Sequence, residues 1–293
     1  MANGDYQVFL KAIPNNFTFT VAKDKESHKV VGQIMFSTMS MLEGNDEIST
    51  LCDFFVLPEY RNLGIGETLF QMTAGAKLKS GTNVNLNSMI TMTKWYEKHG
   101  ITQFALKPNT TFMIFTKNIS ERRSEELLES LKRVLNMELL KIVDIGAVSD
   151  QTLIDYDKSV VPVDRSTYIP VWLRREDAFT KVCVDSEGNV AGFACLRKIS
   201  GKRLLFSPIF AKTETIAETL TVATIKMIPN LTEFTKVIFA TNGENVSIRQ
   251  IINVLSGGEF TEMALVHRMF SKKRIEVDTK QVFAITSYGC CCV

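Results

Sequence analysis

Residues 56–66 read Val-Leu-Pro-Glu-Tyr-Arg-Asn-Leu-Gly-Ile-Gly, and no other stretch narrows the possible folds of this chain so far. The preceding residues, 48–56, are rich in β-branched and aromatic side chains and close just before Pro58, as a strand end should. Beyond Gly66, the residues Leu69, Met72, Thr73 and Ala76 continue a helical spacing from Ile65, and Gly81 is the expected stop. A strand therefore runs into a turn and then a helix. The first backbone N–H groups of a helix lack partners within it, and small residues there let a pyrophosphate approach closely. The turn is suited to an anion. It has neither the Gly-Lys-Ser/Thr of a Walker loop nor the third glycine of the dinucleotide fingerprint.

Arg61, Gly64 and Gly66 fit another pattern, Arg/Gln-x-x-Gly-x-Gly/Ala, and so resemble the signature of the GNAT family of acyl-CoA-dependent N-acyltransferases. Val56 and Pro58 match the Val-x-Pro that precedes it in the family. Trp95, Tyr96, Glu97, Lys98, His99, Gly100 and Ile101 match its aromatic-Tyr-Glu-Lys-x-Gly-apolar helix. The resemblance covers roughly residues 17–117 and implies strands at 17–22, 30–40 and 48–56, a helix at 65–80, a strand at 83–87, a helix at 91–98, and strands at 103–106 and 111–117 to finish the sheet.

The resemblance also implies a site. Acetyl-CoA, as co-substrate, would be held by the segment Val56, Leu57, Arg61, Asn62, Leu63, Gly64, Ile65, Gly66 and Glu67, with the N–H groups of 63–67 on its pyrophosphate. The splayed strand end 53–56 would pair with the pantetheine arm, and the N–H near Val56 would polarise the thioester carbonyl. Tyr96 falls where the family's tyrosine hydroxyl protonates the departing thiolate. The family's asparagine seven residues before that tyrosine is Met89 here, with Asn87 near enough to stand in. Asp53 is the first choice for general base by position, ahead of Glu47 and His99, while a water chain or an amine of lowered pKa would serve equally. Only about 16 residues precede Phe17, where the family builds its acceptor wall, so that site is expected to be incomplete.

From residue 118 the chain turns charged and helical, with Ser124 as a cap and Leu127, Leu128, Leu131, Val134 and Leu135 as one apolar stripe. Beyond it the earlier succession partly repeats. A hairpin at 179–197, a strand at 203–210, a helix at 213–227, a strand at 236–240, a helix at 246–255 and a strand at 264–271 follow in the GNAT order. Between the third of these strands and its helix stand residues 208–213 with no glycine, so the backbone there cannot approach a pyrophosphate as closely. The run Asp164-Arg165-x-x-Tyr168-x-Pro170-x-Trp172 resembles the start of the second domain of tandem GNAT proteins of a YitH-like type. The expected fold is α+β, with two tandem GNAT-like domains, each a mixed, mainly antiparallel sheet flanked by helices. The divisions are a first domain at 1–118, a connector at 119–136, a degenerate second domain at 137–275 and a tail at 276–293.

Composition sets the outer limits. A chain of 293 residues with 45% hydrophobic content can bury two cores, and a net charge of +2 gives no reason to expect a nucleic-acid partner. No apolar run approaches the ~18 residues needed to span a bilayer, and the start, Met-Ala-Asn-Gly-Asp, has no secretory core, so a cytoplasmic protein is expected. Neither His28 nor His267 has ligand-spaced companions, so no metal is expected. Cys52, Cys183 and Cys195 read as small buried hydrophobes. Cys290 stands four from the end, where a prenyltransferase reads, with cysteines in place of the usual aliphatic pair. The expectation is an N-acetyltransferase acting on an unidentified small-molecule or protein amine. The alternatives are a non-catalytic acyl-CoA-binding or interaction protein and a regulator anchored through its cysteine tail.

Overall fold

The computed structural model describes residues 4–287, leaving aside the side chains of Ala264 and Leu265. The cysteine tail lies outside the described residues. In chain order the elements are α1 (Asp5–Ala12), β1 (Phe17–Lys23), β2 (Val30–Ser40), β3 (Glu47–Val56), α2 (Ile65–Phe70), α3 (Ala76–Lys79), β4 (Asn83–Met89), α4 (Thr93–Lys98), β5 (Gln103–Phe104), β6 (Asn109–Phe115) and α5 (Glu121–Met137). The second half brings β7 (Lys141–Asp144), α6 (Asp150–Val160), α7 (Ile169–Leu173), β8 (Ala178–Val184), β9 (Val190–Ile199), β10 (Arg203–Ala211), α8 (Glu214–Ile225), β11 (Lys236–Thr241), α9 (Ser247–Ser256), β12 (Thr261–Phe270) and β13 (Val282–Ala284). A π-turn, Gln71–Gly75, joins α2 to α3 without a break in the helix.

All the strands belong to one mixed, mainly antiparallel sheet, whose main path runs β1-β2-β3-β4-β12-β6-β11-β10-β9-β8-β7. Among the described residues, only β3 with β4 and β10 with β11 pair in parallel. The class and the two-fold repetition are as the sequence suggests, but the seam is not. β12, from the second half, lies between β4 and β6, and β6, from the first half, pairs on its other edge with β11. The expected closing strand of the first sheet therefore serves the second, and the reverse. Residues 282–284, expected in a tail, form β13, fully buried.

Helices cover both faces. On one face of the first half, α2, α3 and α4 enclose Ile34, Phe36, Leu69, Phe70, Leu86 and Tyr96. The matching face of the second half is covered by α8 and α9. The opposite face carries a single core across both halves, where Phe9 of α1, Met35 and Cys52 of the first half meet Tyr168, Trp172 and Phe193 of the second. Ion pairs lock that junction. Buried Asp5 of α1 accepts from Arg175 at 2.9 Å and from Arg197, and both guanidiniums lie over the Trp172 ring, at 4.9 and 4.3 Å. At the start of α5 the cap is Ser120, which accepts from the Arg123 N–H, whereas Ser124 sits inside the helix and donates back to the Ser120 carbonyl.

Candidate active site

The parallel pairing of β3 with β4 spans only Ile48–Leu51 against Asn83–Leu86, after which the two strands part. Beyond Leu51, β3 pairs with β2 alone, through Ile34↔Phe54, Gln33↔Phe55 and Gly32↔Val56. Backbone groups in an antiparallel ladder alternate between facing the partner and facing away. Because the Leu57 N–H donates to the Val31 carbonyl at 2.9 Å, Val56 and Phe54 must turn theirs the other way, into the opening between β3 and β4. The Val56 carbonyl is met by Arg61 Nε at 3.0 Å, and the Arg61 guanidinium lies 5.5 Å from the Phe55 ring. Arg61 thus fastens the turn to the strand end and leaves the Val56 N–H facing the opening.

The turn itself needs its glycine. Gly64 caps α2 at φ +77°, in the left-handed region, and a Cβ there would meet no atom within 4 Å, so backbone conformation and not space calls for glycine. Asn62, at φ +63°, takes the same uncommon conformation. Gly66 has an ordinary φ, and a Cβ would meet Phe54 at 3.5 Å, an ordinary contact. The first helical bond is Thr68 N–H to the Gly64 carbonyl at 3.0 Å, which leaves the N–H groups of 64–67 without helical partners at the mouth of the opening. Leu63 is exposed beside them. The Glu67 carboxylate turns to His99 Nε2 at 2.9 Å, joining the start of α2 to the end of α4. His99 Nδ1 meets the Trp95 carbonyl at 2.7 Å and its ring stacks on Trp95 at 3.9 Å. The amide of Gln71 first, and then His99, hold the Glu67 carboxyl below its usual range.

The second half repeats this geometry with a different outcome. β10 pairs in parallel with β11 only over Arg203–Phe206 against Lys236–Phe239, and the strands then part in the same way. Here the wedge is filled by the chain itself. β13 pairs antiparallel with β10 through Ile209↔Ala284 and Phe210↔Val282, the Ile285 N–H donates to the Ala240 carbonyl of β11 at 2.7 Å, and Ser207 Oγ donates to the Thr286 carbonyl. The turn that follows β10 is short, and the Thr213 hydroxyl already accepts from the Ile216 N–H at the start of α8. Any molecule pairing with β10 there must first displace β13.

A sheet and helices of this build have counterparts among known proteins. Sequence profiles described as acetyltransferase (GNAT) domains match residues 15–101 and 153–284. The chain belongs to the GNAT superfamily, with two such domains in tandem. Solved structures agree at the level of fold. A candidate acetyltransferase from Pyrococcus horikoshii superposes with a TM-score of 0.67 at 13% identity, covering 98% of this chain and 84% of that one. A tandem GNAT protein from the clavulanic acid biosynthesis pathway gives 0.63 at 14% identity, covering 92% and 87%. No curated protein sequence matches.

Within this tandem GNAT chain, the expected site residues separate by face. Tyr96 is buried on the α2–α4 side against Phe70 and Trp95, and burial pushes its hydroxyl well above the ordinary tyrosine value. Asp53 lies on the opposite side, at a β-bulge in β3, and accepts from Gln33 Nε2 at 2.5 Å. Asn87 cannot stand in beside Tyr96: Leu86 faces that tyrosine, so Asn87 faces the other way, where it accepts from Asn109 Nδ2 at 2.9 Å. Glu47 begins β3 at the far end from the turn and pairs with Lys77 at 3.5 Å. Gln33 and the Glu67 carboxylate carry no motif; a glutamine within the apolar run of β2 is the one signal for the first. Among the described residues, no group of three or more His, Cys, Asp or Glu could hold a metal, and no helix is long and apolar enough to cross a membrane.

Proposed function

We propose that the first GNAT domain is an acyl-CoA-dependent N-acetyltransferase and that the second is a structural partner which does not take the cofactor. The observation that carries this reading is the contrast between the two wedges: the first presents the Val56 N–H and the glycine turn, and the second is occupied by β13. The first wedge fits acetyl-CoA, since unpaired backbone N–H groups stand at the helix start and strand edge where a pyrophosphate and an amide-bearing arm would need donors.

Acetyl-CoA supplies an activated thioester. The unpartnered N–H groups of 64–67 hold the pyrophosphate, and the Val56 N–H polarises the thioester carbonyl as charge develops on its oxygen. The attacking amine forms a C–N bond as the C–S bond breaks. The sulfur leaves with both electrons of that bond and takes a proton from Tyr96, while the amine's proton passes toward Asp53 or through water. Burial keeps Tyr96 in its protonated form, the form that can donate, and makes it a weaker acid than a free tyrosine. Asp53 suits the acceptor role because it stands on the other face of the sheet, where an amine can approach from the side opposite α2.

Release of free thiol from acetyl-CoA in the presence of a panel of amines tests this reading. Loss of that release in Gly64→Asp and in Tyr96→Phe would support it. Tight CoA binding with no turnover of any amine would replace it with a non-catalytic acyl-CoA-binding protein.

A further inference from the structure

On the face shared by the two halves lies a cleft of about 270 Å³, near the lower end of the ~300–1,000 Å³ usual for small-molecule sites. Its walls come from both halves. Asn87 of β4 and Asn109 of β6 belong to the first, while Arg268 of β12, the 242–244 loop and the 274–279 segment belong to the second. Asn87 is the first residue of β4 past its last pair with β3, so the cleft begins where the acyl-CoA wedge opens, and on the same face as Asp53. The strand exchange builds it, because Arg268 reaches this place only by β12 pairing with β4 through Arg268↔Asn87.

The lining has a defined chemistry. Lys107, Arg268 and Arg274 supply cations, and Glu244 and Glu276 supply carboxylates. Asn242 Oδ1 accepts from the backbone N–H groups of Glu244 and Asn245, which fixes the side chain, yet its Nδ2 is buried without a hydrogen-bond partner among the described residues. A fixed, buried donor at the wall of a cleft is costly unless something in the cleft accepts from it. Cations with a buried amide donor suit a carboxylate, and the neighbouring Glu244 suits an ammonium or its precursor.

We infer that this cleft is the acceptor pocket, completed in cis by the second domain, and that it takes a small amine bearing a carboxylate, of amino-acid size. The inference rests on the acetyltransferase reading above. One wall of the pocket is supplied by β12 and the residues that follow it.

The test compares α-amino acids with their α-carboxamides, which replace the carboxylate by a neutral group and also lower the amine pKa, so kcat/KM is compared per unprotonated amine. The acids should be acetylated with kcat/KM at least tenfold above the amides. Asn242→Asp keeps Oδ1 for the loop and turns the donor into a second acceptor; it should raise KM for the acids tenfold or more with kcat little changed and the melting temperature preserved. Arg268→Gln should erase the preference for acids. Calorimetric titration of the same pairs onto the CoA-loaded protein gives a readout independent of turnover. Acids bound in preference to amides, with the preference lost in Asn242→Asp, uphold the pocket even if no amine is acetylated, in which case the enzymatic reading alone fails. Equal handling of acids and amides, or an Asn242→Asp protein indistinguishable from wild type, overturns the pocket.

Discussion

Gly64 and Tyr96 carry opposite kinds of constraint. At φ +77° most other residues at Gly64 would cost about 1–2 kcal/mol in backbone strain, asparagine and aspartate less, before any effect on ligand. Gly64→Asp adds a negative charge where the pyrophosphate would sit, so CoA affinity measured by calorimetry should drop at least tenfold, about 1.4 kcal/mol. Tyr96→Phe removes only an oxygen and leaves the packing against Phe70 and Trp95 in place. The expected result is a fall in kcat of about 10²-fold or more with stability nearly unchanged. The pH profile sharpens this. Burial raises the Tyr96 pKa, so the protonated, donating form persists above the ordinary value of about 10, and the wild-type rate should show no alkaline loss from this group up to that pH. An alkaline limb near pH 9 that vanishes in Tyr96→Phe would keep Tyr96 as the donor and contradict only the upward push of its pKa by burial. Asp53 was legible as a candidate by its place on β3; its partner Gln33 was not, since cross-strand contact depends on a register that neither strand encodes alone.

Among the elements, α1 has a role out of proportion to its length. Its Asp5 is buried between Arg175 and Arg197 of the other half, which also share Asp177, so Asp5→Asn leaves two guanidiniums with that one carboxylate and should cost about 3–5 kcal/mol by urea denaturation. Arg165, wholly buried, donates from Nε and Nη2 to the two carboxylate oxygens of Asp157, and Asp157→Asn should cost as much for the same reason. The helices and most strands could be read from apolar spacing and turn residues, because those signals are local. The exchange of β6 and β12 could not. Each is a good central strand by composition, and nothing within either says which edge it meets. β13 escaped reading because three residues are too few to show a period, and its burial is imposed by the wedge it enters.

At the level of the whole molecule, the exchange means that neither half is a separable domain. A fragment of residues 1–118 would present β4 and β6 as bare edges around a missing β12, and would lose the face covered by α7 and Trp172. It should fail to give a cooperative melt alone and should regain one when co-expressed with residues 119–293. An independently folded 1–118 fragment, by circular dichroism and sizing, would show that the shared sheet is dispensable. Unfolding of the full chain should accordingly be a single transition, despite a length at which two are common.

The same seam fixes an order of events during synthesis. Val84 of β4 is bonded to Ser271, 187 residues further along the chain. At about 5–20 residues per second, β4 emerges from the ribosome and waits on the order of ten to forty seconds for its neighbour. During that interval its unpaired backbone edge stands open beside the parallel strand β3, and the place reserved for β12 is available to any other extended segment. The first half of this protein therefore becomes whole only after nearly all of the other half has been made.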